Sequence, residues 1–300
     1  MNLAKIKYVI LNRFLDMNSI NVNELVSKIL IPTNKNPLVN KAVDYITQLF
    51  PNAEYYIIGV VDLSAESTLL YSSYSAEYLD VLEKLEEEAV NELEDLLKKK
   101  SANIKEKLIK RGSPVKVILE YSKLKNINLI LLLTSTKIGA EQVTLGRTAK
   151  KIIIKSKIPT LLITPQSNNR IPIKTIINPS SGSKYSFRAS ILSINFAKMF
   201  NASVKTILFS KNVNEKVINS LKDYAKSINV NYEIENVHLE REELVERLLK
   251  ETELNDIMIA SRGRKSISYK FRYFSPELAL GSLEREVISM SKCPIILINE

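Results

Sequence analysis

The residues best suited to chemistry lie in Ala260-Ser261-Arg262-Gly263-Arg264-Lys265, taken together with Gly281-Ser282 further along. The apolar run Ile257-Met258-Ile259 precedes them, and the amphipathic Leu283-Glu284-Arg285-Glu286-Val287-Ile288 follows. That order predicts a buried strand, a glycine-containing loop and a helix. Such a loop aims backbone N–H groups and a helix N-terminus at one point in space, which suits an anion such as a phosphate. Strand-to-helix loops in many α/β domains contain glycine, so the stretch gains meaning only from what surrounds it.

Metal-ligand and nucleophile patterns are sparse by comparison. His238 is the only histidine and falls in an expected strand, Tyr232–His238, and no His/Cys cluster has metal-ligand spacing. Cys293 precedes Pro294 at the start of an apolar strand and reads as a small buried hydrophobe. With one cysteine, an intramolecular disulfide is excluded and a reducing compartment is expected. A G-x4-G-K-[ST] phosphate loop is absent. These residues predict a binding protein and not an enzyme.

The elements that must position the loop occur twice. Strands are expected at Lys28–Pro32, Tyr55–Asp62, Ile104–Lys110, Leu129–Leu133 and Pro159–Thr164. Helices are expected between them, including a long one with Leu82, Leu85, Ala89, Leu93 and Leu96 on its apolar face, and Gly146–Ser156. After the polar stretch Gln166–Pro172 the pattern restarts, with strands at Lys174–Pro179, Val204–Phe209, Tyr232–His238, Asp256–Ala260 and Pro294–Ile298. Ser156-Lys-Ile-Pro-Thr-Leu-Leu-Ile163 lies over Ser291-Lys-Cys-Pro-Ile-Ile-Leu-Ile298, and Gly146 lies over Gly281. Strands alternating with helices imply a doubly wound parallel sheet, built here twice. The expected division is an extension over 1–27, a first domain over 28–165, a linker over 166–172, and a second domain over 173–300 with an insertion near 265–276.

At these residues the chain resembles the universal stress protein family, with two such domains fused. The family pattern opens with a strand ending in Pro-x-Asp-Gly-Ser and closes with a Gly-x2-Gly-x9-Gly-Ser/Thr loop, a helix, and a last strand often introduced by Cys-Pro. The second half supplies Pro179, Ser181-Gly182-Ser183, Gly263, Gly281-Ser282 and Cys293-Pro294. The resemblance implies, for each half, a five-stranded parallel sheet of order 3-2-1-4-5, of the adenine-nucleotide alpha-hydrolase-like type. It also implies that the fifth strands, which pair across a dimer in the family, pair here within one chain as a pseudo-dimer.

In nucleotide-binding members adenosine lies where the first and fourth strands diverge, and the glycine loop meets the phosphates. Carried over, that gives a site of Ser181, Gly182, Ser183, Ala260, Gly263, Arg264, Gly281 and Ser282, with ATP or AMP as ligand and no metal site of its own. Ser181 replaces the family's aspartate, Ala260 stands at the first glycine, and 17 residues separate Gly263 from Gly281 instead of nine. The first half departs further: Asn34 holds the aspartate position, Leu133 and Thr136 the two loop glycines, and Arg147 the Ser/Thr position. Its loop is expected only to connect strand to helix.

Three functions stay open at this point. The first is a regulatory module binding an adenine nucleotide or another anion in the second half. The second is an interaction protein with both pockets degenerate, engaging a protein partner or forming a homodimer. The third is a nucleic-acid binder, suggested by a formal charge of +10 and by the insertion Lys265–Pro276, where basic residues interleave with aromatics. No apolar run approaches the roughly 18 residues of a membrane span. Leu3, Ile6, Ile10 and Phe14 recur at helical spacing near the N-terminus without the form of a secretory signal. No membrane association and a cytoplasmic location are expected.

Overall fold

A computed structural model describes residues 26–33, 36–63, 76–133, 135–136, 143–182, 184–209, 215–262 and 282–299. In the first half the elements run β1 (Lys28–Pro32), α1 (Val39–Leu49), β2 (Glu54–Asp62), α2 (Ala76–Lys99), β3 (Asn103–Gly112), α3 (Pro114–Leu124) and β4 (Leu129–Leu133). A two-residue pair, β5 (Ser135–Thr136) and β6 (Val143–Thr144), comes next, then α4 (Arg147–Lys155) and β7 (Thr160–Ile163). The second half runs β8 (Thr175–Ser180), α5 (Lys184–Phe200), β9 (Ser203–Leu208), α6 (Glu215–Ser227) and β10 (Tyr232–Asn236). It ends with α7 (Arg241–Leu254), β11 (Ile257–Ser261), α8 (Ser282–Met290) and β12 (Ile295–Ile298).

Ten strands form one sheet in the order β10-β9-β8-β11-β12-β7-β4-β1-β2-β3. Each half therefore has the expected order 3-2-1-4-5. Every neighbouring pair is parallel except β12 with β7, where Ile295 faces Leu162 and Ile296 faces Leu161 in antiparallel register. The runs LILLL, TLLI and IILI of β4, β7 and β12 are buried throughout, as strands covered on both faces must be. The intrachain pseudo-dimer thus joins at two strands that are buried along their whole length.

Helices α1, α2, α5 and α6 cover one face of the sheet, and α3, α4, α7 and α8 the other. Both cores run across the seam. On the first face the Phe50 ring lies edge-on to Phe196 at 6.1 Å and 6.0 Å from Phe200. Hydrophobic contact across the seam therefore contributes to both halves at once.

Repeated local chemistry explains the repeated sequence. After α4, the Ser156 hydroxyl donates to the Ile158 carbonyl at 2.8 Å and accepts the Ile158 N–H at 3.0 Å. After α8, Ser291 makes the same pair of bonds with Cys293, at 2.7 and 3.3 Å. Each serine stops its helix and turns the chain into the proline that precedes the last strand. Before the fourth strand of each half a side chain holds the start of the first: Asn128 Oδ1 accepts the N–H groups of Ser27 and Lys28 at 3.1 and 2.8 Å. Asp256 Oδ2 accepts those of Lys174 and Thr175 at 2.7 and 2.9 Å.

Two expectations need correction. The buried stripe of α2 is Ala89, Val90, Leu93 and Leu97, while Leu85 is exposed. Gly59 on β2 is the reason: a Cβ there would lie 2.9 Å from Val90 Cγ2 and 3.3 Å from Glu86 Oε2, so α2 rests directly on bare backbone. Glu86 turns inward, where its carboxylate accepts from Thr33 Oγ1 at 3.0 Å, and the apolar stripe rotates with it. The third strand of the second half stops at Asn236, which leaves His238 exposed on the segment leading into α7.

Candidate functional site

Strands β8 and β11 lie side by side, with Ile176 opposite Ile257 and Ile177 opposite Met258. Pro179 has no N–H, so the backbone ladder cannot continue to the end of β8. A side chain takes over. Asn178, fully buried, donates its amide to the Ile259 carbonyl at 2.8 Å, and its oxygen accepts from Ser190 Oγ at 2.6 Å and Thr206 Oγ1 at 3.1 Å. Thr206 Oγ1 in turn lies 3.1 Å from the Tyr232 hydroxyl, whose pKa is raised by burial. The two strands are held in register up to the point where they part, and this polar clamp supplies part of the hold.

Beyond it the predicted residues follow. Ser180 Oγ donates to Ser186 Oγ at 3.0 Å, which ties the strand end to the first turns of α5. Ser181 is exposed, and Gly182 turns the chain with φ +71°, a region that side-chain-bearing residues rarely enter. Its N–H reaches back to Ser180 Oγ at 3.4 Å. Ala260 offers only its backbone, because its methyl group is buried among the side chains of the second core. Ser282 is the first residue of α8. Ser183, Gly263, Arg264, Gly281 and the insertion 265–276 lie outside the described residues.

Arg262 is the last described residue before the loop, and it points at the seam. Its N–H bonds the Ile298 carbonyl at 2.9 Å, and its Nε bonds Asn299 Oδ1 at 2.9 Å. Asn299 then donates to the carbonyls of Ile153 and Ser156 at the end of α4, the latter at 2.7 Å. One amide therefore joins the second half's loop to the first half's last helix. Nothing in the local sequence signals Asn299, since the two carbonyls it bonds lie more than 140 positions away.

The equivalent place in the first half is built differently. Asn36 is buried and spends its side-chain oxygen on the Leu38 N–H, 2.9 Å away, at the start of α1. Leu133 is buried in the core, and the β5–β6 pair, with Thr136 opposite Val143, occupies the loop. Gly146 precedes α4 with φ −56°, and a Cβ there would meet nothing within 4 Å.

Other reactive groups serve packing. Burial pushes the Cys293 thiol up to about 12, against a hydrogen bond from Ser291 that acts the other way. Among the described residues no cluster of three or more His, Cys, Asp or Glu could hold a metal, and no helix is long and apolar enough to cross a membrane.

The model of the universal stress protein family matches residues 26–164. Residues 26–164 belong to that family. A universal stress protein of Methanocaldococcus jannaschii is 27% identical over 163 residues, which is 54% of this chain and 93% of that protein. Among solved structures, a universal stress protein from Archaeoglobus fulgidus superposes with a TM-score of 0.69 at 16% identity, covering 92% of this chain and 97% of its own. A protein of unknown function from Pseudomonas aeruginosa gives 0.58 at 11% identity, covering 93% and 94%. At such identities the two structures speak for the fold alone. It extends over both halves, so a universal stress fold is present in tandem.

Proposed function

We propose that the chain is a regulatory module of the universal stress type, binding an adenine nucleotide or another phosphate-bearing ligand in its second half without turning it over. One observation carries this reading. The adjacent parallel strands β8 and β11 continue into helices on opposite faces of the sheet, α5 on one and α8 on the other. Open α/β sheets take ligands at that divergence, beyond the carboxyl ends of the strands.

In this assignment Ser181, Gly182 and Ser183 meet the sugar. The backbone of Ala260, Gly263, Arg264 and Gly281 and the start of α8 at Ser282 meet the phosphates. The ligand is ATP or AMP, held without a dedicated metal site, in a cytoplasmic protein whose second domain spans 173–300. The buried Asn36 and the β5–β6 pair support a first domain, 28–165, that has given up the role.

Isothermal titration of the full chain with ATP and AMP tests the reading. Heat of binding is expected, and Ser282→Glu should weaken it by about tenfold or more by placing a carboxylate on the same N–H groups. Absence of heat at millimolar ligand removes the proposal. Loss of binding in Gly146→Glu but not in Ser282→Glu moves the site to the first half.

A further inference from the structure

Helices α3 and α4 lie side by side on one face of the sheet, and together with the residues that flank them they hold most of the protein's excess charge. From Leu145 to Ile158 the sequence contains Arg147, Lys150, Lys151, Lys155 and Lys157 and no acid. From Pro114 to Lys125 it contains Lys116, Lys123 and Lys125 against Glu120 alone. These two segments carry +7 of the chain's formal +10.

The pattern is not that of an ordinary solvated helix face, which mixes signs at i,i+4. Arg147, Lys151 and Lys155 repeat at that spacing with like charge, an arrangement that works against the helix in isolation. Among the described residues Lys123, Lys151, Lys155 and Lys157 lack a carboxylate partner. Cations elsewhere that do have one include Lys107, Arg111, Arg241 and Arg247, each paired with a glutamate. Lys123, Lys155 and Lys157 are exposed, and Lys151 is half-buried.

We infer that the α3–α4 face is a docking surface for the phosphodiester backbone of nucleic acid, bound without sequence preference. The partner follows from what the face lacks as well as what it holds. A helix that settles on an anionic membrane must present an apolar side to the lipid. The apolar side of α4, Ala149, Ile152 and Ile153, is already spent in the core. No aromatic side chain is exposed on either helix to stack on a base, since Tyr121 is buried. The one strongly exposed apolar side chain of the two helices, Leu124 between Lys123 and Lys125, is a single residue and forms no stripe. Fixed positive charge without an exposed ring to stack therefore matches a polyanion read by its backbone. This surface is distinct from the basic-aromatic insertion and from the ligand site proposed above, and it depends on neither.

The test is fluorescence anisotropy of the full chain with a short labelled DNA duplex of mixed sequence, over a range of salt. With four unpaired lysines engaged, affinity should fall by about 150-fold between about 50 and 200 mM salt. Lys151→Gln with Lys155→Gln should bind more weakly and reduce that ratio to about 12-fold. Lys222→Gln with Lys226→Gln, exposed on α6 across the sheet, removes the same charge and should leave binding and its salt slope nearly unchanged. Equal weakening by both double variants would mean net charge alone acts, and would overturn the assignment. So would absence of binding at low salt, loss of binding only in Arg272→Ala with Tyr273→Ala, or equal affinity for phosphatidylserine vesicles. Salt-sensitive self-association without DNA, with α3–α4 meeting the more acidic α7–α8 of a second copy, would overturn it in favour of a dimer.

Discussion

Asn299 donates its side-chain amide to the carbonyl of Ser156, 2.7 Å away, at the end of a helix in the other half of the chain. The reciprocal bond exists: Thr164 Oγ1 donates to the carbonyl of Ser291 at 3.3 Å. Each last strand is followed by a residue that satisfies the orphan carbonyls ending the opposite half's last helix. The seam is therefore polar-capped on both sides of its apolar β12–β7 centre. Duplication placed Thr164 and Asn299 in corresponding positions, and different donors fill the same role.

Asn299→Ala should therefore lower stability by about 2 kcal/mol, because two carbonyls and the Arg262 Nε lose a partner at once. Thr164→Val should cost about 1 kcal/mol. Urea denaturation followed by circular dichroism checks both. Because both cores cross the seam, wild type should unfold in one transition. Two well-separated transitions would show that the halves are independent.

Asp256 and Asn128 hold the first strand of each half by accepting its first N–H groups. Because a neutral amide does this work in the first half, Asp256→Asn should cost under about 1 kcal/mol. Asp256→Ala leaves the N–H groups of Lys174 and Thr175 unpaired and should cost about 2 kcal/mol. A similar loss in both variants would mean that the charge, facing Arg170 at 3.8 Å, is what counts.

Much of this fold was legible because its signals are local. The apolar runs at Leu129–Leu133 and Ile295–Ile298 and the Ser-Lys-x-Pro repeat each determine their own surroundings within a few residues. What escaped sequence reasoning depends on residues brought together from far apart. Gly59 looks like any glycine in a strand until α2 rests on it, and only then does Glu86 face inward and Leu85 outward. Asn178 beside Pro179 carries a faint signal, a missing backbone donor, yet the carbonyl it replaces that donor for belongs to Ile259. At the candidate site, Ser181, Gly182, Ala260 and Ser282 could be named from the family pattern, but the methyl of Ala260 lies in the core and Arg262 is committed to the seam.

Two glycines separate conformational need from close approach. Gly182→Ala should cost about 1 kcal/mol or more, because its φ of +71° places Cβ against backbone. Gly146→Ser should instead gain about 0.5 kcal/mol, since that position has φ −56°, open space for a Cβ and no side-chain cap on α4. Thermal melts of the two variants read the difference directly. A destabilised Gly146→Ser would mean that something approaches the α4 start closely.

Cys293 should behave as a reporter of opening. Its thiol is 1% exposed and burial pushes its pKa up to about 12, so little thiolate exists at pH 8. Labelling by a thiol reagent should be slow in the native protein and fast in urea. Fast native labelling would contradict the buried position of the β12 start.

Part of the acid sensitivity should come from the cluster at the outer strands of the second half. The Glu235 carboxyl is held below its ordinary range first by the hydrogen bond from Lys205, with burial opposing and Arg247 adding further attraction. Lys205 and Arg247 also pair with the buried Glu251, at 2.9 and 2.8 Å. A carboxylate whose pKa is lower folded than unfolded contributes stability that is complete above its unfolded value, and it loses that contribution as pH falls through its folded value. Stability should thus decline as pH drops from about 5 toward 3, and Glu235→Gln should flatten part of that decline while leaving the neutral-pH fold intact. Measured by urea midpoints across that range, an unchanged slope in the variant would show that Glu235 is too exposed for its pairing to count.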